Sequence, residues 1–269
     1  MLNAITGQFL AITQFILPIY AGFFVIEKIF PAQRKQPVRD LVFNLLWFFL
    51  FWFLTILLIF PLNQLVGVAK AVVPIPRMSF TFGTDLPSQI ANGIVYFLIF
   101  DFFYYWFHRF QHTTPALWSI HKLHHSDVSL NVTTSSRHHW LEEPARVFLI
   151  AIPMGLIFDI QPVAVGIVAT VFNAWAFFIH ANWKLQLGIL TPVVVGPQLH
   201  RIHHSIHPEH ADKNFAAYFP IWDILFGSYC PPKPGEFPET GLHSGEKITN
   251  LWKASFSPFT EWWNSFISH

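Results

Sequence analysis

The chain has 269 residues, of which 53% are hydrophobic, 18% aromatic and only 12% charged, a composition too apolar for an ordinary soluble domain. Its formal net charge of +1 leaves no basic excess that would favour nucleic acid as a partner. The single cysteine, Cys230, excludes an internal disulfide, a C-x-x-C redox pair and a cysteine-held iron–sulfur cluster. The composition therefore predicts a membrane protein in which any metal is held by nitrogen or oxygen ligands.

The first apolar segment runs from about Ile5 to Phe30 and predicts a retained transmembrane helix, because no basic region precedes it and no clean cleavage site follows it. The short loop after it is rich in basic residues: Lys28, Arg34, Lys35 and Arg39, against Glu27 and Asp40. By the positive-inside tendency, this loop is expected to face the cytoplasm. The second apolar run, Leu41 to Leu62, is long enough to return the chain across a hydrocarbon core of roughly 30 Å.

The segment from Asn63 to Pro87 mixes prolines and a glycine with apolar residues, and it predicts an irregular or interfacial connection. From Ile90 the chain is apolar again, and it then becomes aromatic and polar together in D-F-F-Y-Y-W-F-H-R, which ends at Arg109. That pattern is typical of a helix leaving the membrane. It is expected to deliver His108 to the cytoplasmic side.

The segment from Arg146 to His180 holds about one and a half membrane lengths of apolar sequence. Because Asp159, Gln161 and Pro162 together would be costly at mid-membrane, the segment predicts a hairpin of two short or tilted helices with both ends on one side. After about Lys184 the chain is polar and proline-rich, and no further span is predicted.

The expected fold class is an all-α integral membrane protein with about four to five transmembrane helices and a histidine-rich helical cap at the cytoplasmic face. Three regions follow from this topology. Residues 1–107 form an N-terminal transmembrane region, residues 108–230 form a histidine-rich catalytic region that includes the membrane hairpin at 146–180, and residues 231–269 form a C-terminal tail.

Three histidine clusters, H-R-F-Q-H, H-K-L-H-H and H-R-I-H-H, repeat the spacing of one helical turn. Their histidines are His108, His112, His121, His124, His125, His200, His203 and His204. Spacings of i, i+3 and i+4 put imidazoles on one helix face, where several can converge on a metal. One isolated cluster would serve equally well in hydrogen bonding at a membrane surface, but three favour metal. Eight imidazoles exceed what one four-coordinate zinc can use, whereas two metals of octahedral habit accommodate all of them.

These clusters, placed after a multi-pass apolar region, resemble the fatty acid hydroxylase/sterol desaturase superfamily. The resemblance runs from about Asp101 to Tyr229, and the flanking sequences are most similar to the bacterial sterol-desaturase-like branch. Those flanks include N-V-T-T-S-S-R-H-H-W-L-E, F-I-H-A-N, D-K-N-F and W-D-I-L-F-G-S-Y. The resemblance implies a helical membrane enzyme with a non-haem di-iron centre, which uses O2 to hydroxylate or desaturate a C–H bond of a lipid such as a sterol or fatty acyl chain.

The resemblance also implies roles for individual residues. It makes the eight clustered histidines metal ligands and adds His180 as a ninth, for which a capping or core role is the alternative. It leaves His139 open between ligand, outer-sphere and structural roles. The remaining nearby histidines, His138, His207 and His210, are expected to be surface or supporting residues. Four residues are candidates for orienting ligand imidazoles through the second ring nitrogen: Asp101, Asn182, Asp212 and Asp223. Asp223 is an equally good candidate for a cap or turn, as is Asn214.

Arg109 and Arg201 each follow the first histidine of a cluster and are expected to be charges at the membrane interface, with docking of an electron donor as the alternative. The chain has no dinucleotide-binding fingerprint and no identifiable fused haem domain. Electrons are therefore expected from a separate donor, a ferredoxin or a cytochrome b5 type protein with its reductase.

Two functions of other classes stay open at this point. A zinc-dependent membrane hydrolase would use Glu142 or Glu143 as its base, although the expected H-E-x-x-H is absent. A non-enzymatic metal-binding or transport protein is disfavoured, because the histidines cluster beyond the ends of the predicted helices and not at mid-membrane.

Overall fold

The computed structural model describes residues 2–80, 85–160 and 162–268. Its helices are α1 (Leu2–Ile29), α2 (Val38–Val72), α3 (Leu86–Thr113), α4 (Pro115–His125), α5 (Glu142–Arg146), α6 (Ile152–Ile157), α7 (Pro162–His180), α8 (Pro197–His203), α9 (Ile221–Leu225) and α10 (Leu251–Ile267). Short 3-10 helices lie at Val132–Ser136, Gly188–Leu190 and Pro208–His210, and a π-helical turn at Val147–Ala151 joins α5 to α6. Strands β1 (Met78–Phe80) and β2 (Phe158–Ile160) pair in parallel, with Met78 opposite Phe158.

Three helices are long and apolar enough to cross a membrane: Ile5–Ile29 of α1, Val38–Val72 and Leu86–Thr113. The described part of the chain is otherwise also mainly helical, with one short strand pair. The predicted fold class, an all-α membrane protein, is therefore confirmed. The number of four to five spans and the cytoplasmic position of the histidine-rich cap stay predictions.

Helix α2 is longer than the sequence predicted, because it continues through Pro61 to Val72. Residues 63–72, expected in an irregular connection, are helical; residues 81–84 of that connection lie outside the described part. Tertiary contacts stabilise the continuation: a β carbon at Gly155 of α6 would lie only 2.7 Å from a methyl of Val66. The packing of two helices at such close range stabilises α2 by more than the loss of one backbone hydrogen bond at the proline destabilises it.

The segment predicted as a hairpin, residues 146–180, contains two helical arms, and its passage through the membrane stays a prediction. The first arm consists of α5, the π-helical turn and α6, and the second is α7. Between them the backbone leaves the helix at Phe158 to form β2, and Lys70 of α2 pairs with Asp159 there at 2.9 Å. Gln161, one of the residues predicted to interrupt the span, lies outside the described residues.

The junction of α3 and α4 brings the first two histidine clusters face to face. Pro115 begins α4 one residue after Thr114, which ends α3, and a proline is readily accepted only in the first turn of a helix. The short connection makes the two helices neighbours.

A buried arginine, Arg137, holds α2, α4 and the C-terminal segment together. Its guanidinium donates to Asn44 Oδ1 at 2.6 Å and to Ser126 Oγ at 2.8 Å, and also to the carbonyls of Leu123 and Ile248. A buried charge requires such a set of partners. The motif N-V-T-T-S-S-R-H-H-W-L-E, which contains Arg137, therefore holds the end of α4 that carries the histidines in place.

The predicted C-terminal tail carries helix α10, which packs along α4. Lys122 pairs with Glu261, and the indole of Trp262 donates to the carbonyl of Ala116 at 3.0 Å. Helix α10 begins at Asn250, whose side chain accepts from the backbone N–H of Lys253, a normal helix cap. The tail therefore braces the outer face of the histidine-bearing helix.

Candidate metal centre

The structure brings all nine predicted histidines together, in two groups. The five-histidine group consists of His108, His112, His121, His125 and His203. The four-histidine group consists of His124, His180, His200 and His204. Within each group, one nitrogen of every imidazole lies within 4.8 Å of the corresponding nitrogen of every other member.

The five-histidine group is built from matched helical turns. His108 and His112 lie one turn apart on α3, and His121 and His125 lie one turn apart on α4. Across the helix pair, the Nε2 atoms of His108 and His121 are 3.1 Å apart, as are those of His112 and His125. This regular pairing reflects the i, i+4 spacing that the two helices share.

The four-histidine group begins beside the first group on α4. His124, next to His125 in the chain, approaches His180 at the end of α7, with 3.0 Å between their Nε2 atoms. His200 approaches His180 at 2.9 Å and His204 at 3.2 Å. The rings of the two groups also touch, since His125 stacks on His204 with 4.3 Å between ring centroids.

These distances fit bound metal ions. Two nitrogens at right angles on one ion, each with a bond of about 2.1 Å, lie about 3.0 Å apart. His108 donates its Nδ1 proton to the carbonyl of Phe215, and His121 donates its own to Glu142. Their facing Nε2 atoms therefore both present lone pairs, which a shared cation would satisfy. The Nε2 atom of His203 is likewise buried without a hydrogen bond to the described residues.

Backbone carbonyls orient three of the imidazoles. Each accepts an Nδ1 proton at 2.7 Å: Phe215 from His108, Lys213 from His203 and Ala176 from His180. Because a carbonyl only accepts, the Nδ1 atom must carry the proton, and the Nε2 lone pair is turned toward the group's centre. The residues that do this orienting are not recognisable by type in the sequence.

Glu142 is a functional residue that the sequence interpretation missed in this role. It is fully buried and accepts hydrogen bonds from Gln111 at 2.8 Å, from His138 at 3.1 Å and from His121 at 3.3 Å. Burial acts to raise the pKa of Glu142, but His138 and His121 outweigh it and hold that pKa well below its usual value. The carboxylate therefore positions His121. The spacing of His138 and Glu142, four residues apart, was the available signal.

Two histidines beside the centre have supporting roles. His138 stacks on His124, with 4.2 Å between ring centroids. His139 uses both ring nitrogens structurally, since Nδ1 accepts from the N–H of Leu141 and Nε2 donates to the carbonyl of Ser255. His139 belongs to neither histidine group, so its role, left open by the sequence, is to attach α10.

Of the four residues proposed to orient imidazoles, only Asp212 does so, at 3.3 Å from Nδ1 of His112. The other three accept hydrogen bonds from backbone N–H groups instead. Asp101 accepts from Ala217, Tyr218 and Phe219. Asp223 accepts from Phe215 and Ala216, and Asn182 accepts from Gln33. The orienting role predicted for Asp101 and Asn182 was wrong, because their distance from the rings depends on the tertiary fold. For Asp223 the structural alternative holds, since its carboxylate binds backbone amides. Asp223 still acts one step away, by holding the segment whose carbonyl orients His108.

The prediction for Arg201 was also wrong. Its side chain is only 2% exposed and donates to the carbonyl of Pro238 and to Gln33 Oε1, both at 2.8 Å. It is therefore neither an interface charge nor available to an electron donor. Arg109 is half-buried and donates to the hydroxyl of Tyr105 and the carbonyl of Phe226.

Burial favours the neutral form of six of the clustered histidines. Burial lowers the pKa of His121 to about 4. It lowers the pKa further still, well below the usual value, for His124, His125, His200, His203 and His204. A neutral imidazole is the form that binds a metal, so protons do not compete for these sites near pH 7.

Two cavities lead from the apolar side toward the centre. An outer chamber of about 510 Å³ is lined mainly by apolar residues of α2, α3 and the first hairpin arm, including Val66, Tyr96 and Met154. An inner chamber of about 80 Å³ reaches His138 and His180. The four-histidine group is therefore the one nearer this route.

A separate polar mouth of about 240 Å³ opens onto the five-histidine group. Its walls include three of that group's imidazoles, from His112, His125 and His203. Asp212 and His243 lie beside them, and both are exposed. The two histidine groups are thus approached through chemically different openings.

The fold and the two histidine groups define a helical membrane protein with a candidate centre for two metals. The profile of the fatty acid hydroxylase family matches residues 93–228, a segment that contains all nine histidines and covers half of the chain. The chain therefore belongs to the fatty acid hydroxylase family, and the predicted superfamily membership is confirmed.

Several similar proteins are named as monooxygenases or hydroxylases of lipids. Alkylglycerol monooxygenase of Danio rerio is 32% identical over 63% of this chain and 37% of its own length. Ornithine lipid hydroxylase OlsE of Rhizobium tropici is 33% identical over 62% and 51%, and methylsterol monooxygenase 1-3 of Arabidopsis thaliana is 29% identical over 63% and 55%. The matched regions thus span about a third to just over half of these relatives. No solved structure matches the chain.

Proposed function

We propose that the protein is an O2-dependent di-iron oxidoreductase of the membrane, which hydroxylates or desaturates a C–H bond of a lipid. The observation that carries this proposal is the convergence of nine imidazoles, eight from buried histidines, into two touching groups, in which five pairs of Nε2 atoms lie 2.9–3.2 Å apart. The family membership and the lipid names of the relatives support it.

The nine histidines would hold the two ions, five on one and four on the other. When bound, iron would supply the activation of O2 and the removal of a hydrogen atom from an unactivated carbon. The chain's own contribution is positional: the carbonyls of Phe215, Lys213 and Ala176 hold three imidazoles in one tautomer, and the carboxylate of Glu142 holds a fourth.

Substrate placement is the second contribution of the chain. The outer chamber offers an apolar wall to a lipid tail, and the inner chamber admits a small part of the molecule to the neighbourhood of His180. Aromatic side chains, among them Trp52, Tyr104 and Trp175, line the inner chamber together with polar ones. Whether oxygen is inserted or a second hydrogen is lost then depends on how the reacting carbon is held.

We further propose that electrons come from a separate donor, a ferredoxin or a cytochrome b5 type protein with its reductase, and that the histidines lie at the cytoplasmic face. The basic loop between α1 and α2 supports this orientation. A cysteine-accessibility label at exposed His207, introduced as His207→Cys, tests the side of the membrane.

The central experiment compares lipid extracts of cells that express the intact protein and the His203→Ala variant. A product heavier by one oxygen atom means hydroxylation, and one lighter by two hydrogens means desaturation. Elemental analysis of the purified protein should find about two irons per chain, with O2 consumed during turnover. Two zinc ions without O2 dependence would instead indicate a hydrolase. An activity that survives His124→Ala would indicate binding or transport.

A further inference from the structure

The inner chamber is too small to hold a lipid tail. Its volume of about 80 Å³ is roughly one sixth of the 510 Å³ outer chamber. It is also smaller than the cavity of about 150 Å³ that holds one benzene molecule in a protein core. A lipid that reaches the histidines by this route must therefore leave its tail in the outer chamber and place only a few atoms inside.

The two chambers share a wall formed by Arg146, Phe172 and Asn173, which line both of them and are together called the throat. The Arg146 guanidinium lies between two aromatic rings, 5.7 Å from the centroid of Phe107 and 5.9 Å from that of Phe172. Cation–π contacts of this kind hold a guanidinium in place without using its N–H donors. The throat thus presents a fixed, positively charged donor to whatever lies against it.

The donors of Arg146 are not fully used by the protein. Its Nε atom is buried and makes no hydrogen bond within the described residues. The closest carboxylate oxygen recorded for it, Oε1 of Glu143, lies 3.6 Å away, which is longer than a hydrogen bond. A second cation of the outer chamber, Lys70, is by contrast paired with Asp159 at 2.9 Å. An unsatisfied buried donor is unfavourable by itself and is expected to have a partner in the working state.

We infer that Arg146 binds the head group of the lipid substrate, that this head group is uncharged and carries oxygen acceptors such as hydroxyl, ether or ester oxygens, and that the oxidised carbon lies within a few bonds of it. An oxygen acceptor would accept a hydrogen bond from the Nε–H group of Arg146. An anionic head group would meet the carboxylate of Glu143, which also lines the inner chamber, and is therefore disfavoured. This inference rests on the proposed lipid oxidation.

Binding to the full-length, metal-loaded protein tests the inference without turnover. Three tritiated probes share a dodecyl chain: dodecane, 1-O-dodecylglycerol and dodecanoate. Scintillation-proximity binding should rank 1-O-dodecylglycerol first. Arg146→Gln should weaken its binding about tenfold, the loss of one hydrogen bond to a charged group, and leave dodecane unchanged. The matched control Lys70→Gln should leave the ranking as it is.

Two further variants keep the test decisive. Arg146→Lys retains the charge and should recover part of the binding of 1-O-dodecylglycerol, while Glu143→Gln should strengthen binding of dodecanoate severalfold by removing the opposing carboxylate. An equal loss for all three probes in Arg146→Gln, or no loss, would overturn the inference. If Arg146→Gln does not fold, an unchanged affinity of Glu143→Gln for dodecanoate overturns it. A wild type that binds with this ranking but forms no oxidised product would count against the proposed function alone.

Discussion

The two histidine groups use the same residue type at the same helical spacing, yet their surroundings differ. The five-histidine group is approached through the polar mouth beside Asp212, and its imidazoles have hydrogen-bonding partners in two carboxylates and two carbonyls. In the four-histidine group, three Nδ1 atoms, those of His124, His200 and His204, are buried without a hydrogen bond to the described residues. Packing, including the stack of His138 on His124, holds that group instead.

This difference indicates a division of labour. The five-histidine group is open to polar groups and ions through its mouth, whereas the inner chamber reaches His180 of the four-histidine group. Imidazoles with a hydrogen-bonding partner are oriented even before a metal binds. Imidazoles held only by packing depend on the metal to fix their orientation. The comparison therefore predicts unequal responses to ligand loss, to chelators and to changes in the chamber walls.

The largest expected effect is the loss of one ligand from the smaller group. In His200→Ala three histidines remain, so metal content should fall from about two ions per chain to about one, and product formation should fall by at least about 100-fold. In His203→Ala four histidines remain, and two ions should still be found after gentle purification. Elemental analysis makes the comparison, with exposed His207→Ala as the control. Equal metal loss in His200→Ala and His203→Ala would show that the two groups do not hold separate ions.

The next effect concerns Glu142, the buried carboxylate that positions His121. Glu142→Gln keeps the size of the side chain but removes the charge that favours the N–H donor of the imidazole. Metal affinity of the five-histidine group should fall about 10- to 100-fold, as for other partners of metal-bound histidines. Titration with iron, followed by the metal retained after gel filtration, measures this. Neighbouring Glu143→Gln serves as control and should retain both ions; a similar loss there would contradict a specific role for Glu142.

A smaller effect is expected at the polar mouth. With a chelator such as EDTA in excess, one ion per chain should leave in a fast phase and the second in a slow phase, because only the five-histidine group has the polar opening. Asp212→Asn should weaken the faster site by about tenfold, the lower end of the range for such partners, since Asp212 is itself exposed. Stopped-flow chelation resolves the phases. A single phase for both ions would remove the distinction in access.

The smallest effect is expected in the outer chamber. Ala151 lines its wall, and Ala151→Phe should shift preference toward lipids with shorter tails by about three- to tenfold in kcat/KM, as expected for the loss of space for a few methylenes. Competition between two chain lengths of the lipid class found in the cell extracts measures the shift. Leu242→Phe, a change of similar kind at the polar mouth, should leave chain-length preference unaltered.

Several predicted features are reproduced because they depend on local pattern. The long apolar runs became α1, α2 and α3, and the interruption after Phe158 separates the two arms of the hairpin. The end of α2 was misjudged because close packing of Val66 on Gly155, not local preference, extends the helix past Pro61. Arg201 was misjudged for the same kind of reason, since its partners Pro238 and Gln33 are distant in sequence.

The sequence by itself determined that this is a helical membrane protein and that eight clustered histidines are brought together, because composition and helical spacing are local properties; the family resemblance added His180. Only the tertiary structure decided that the nine divide into five and four, that Glu142 and the carbonyl of Phe215 orient ligands, and that Arg146 stands in the throat. His108 and Phe215 are 107 residues apart, and every backbone carbonyl is chemically alike. The packing of whole helices therefore decides which carbonyl binds which imidazole, and residue type does not predict it.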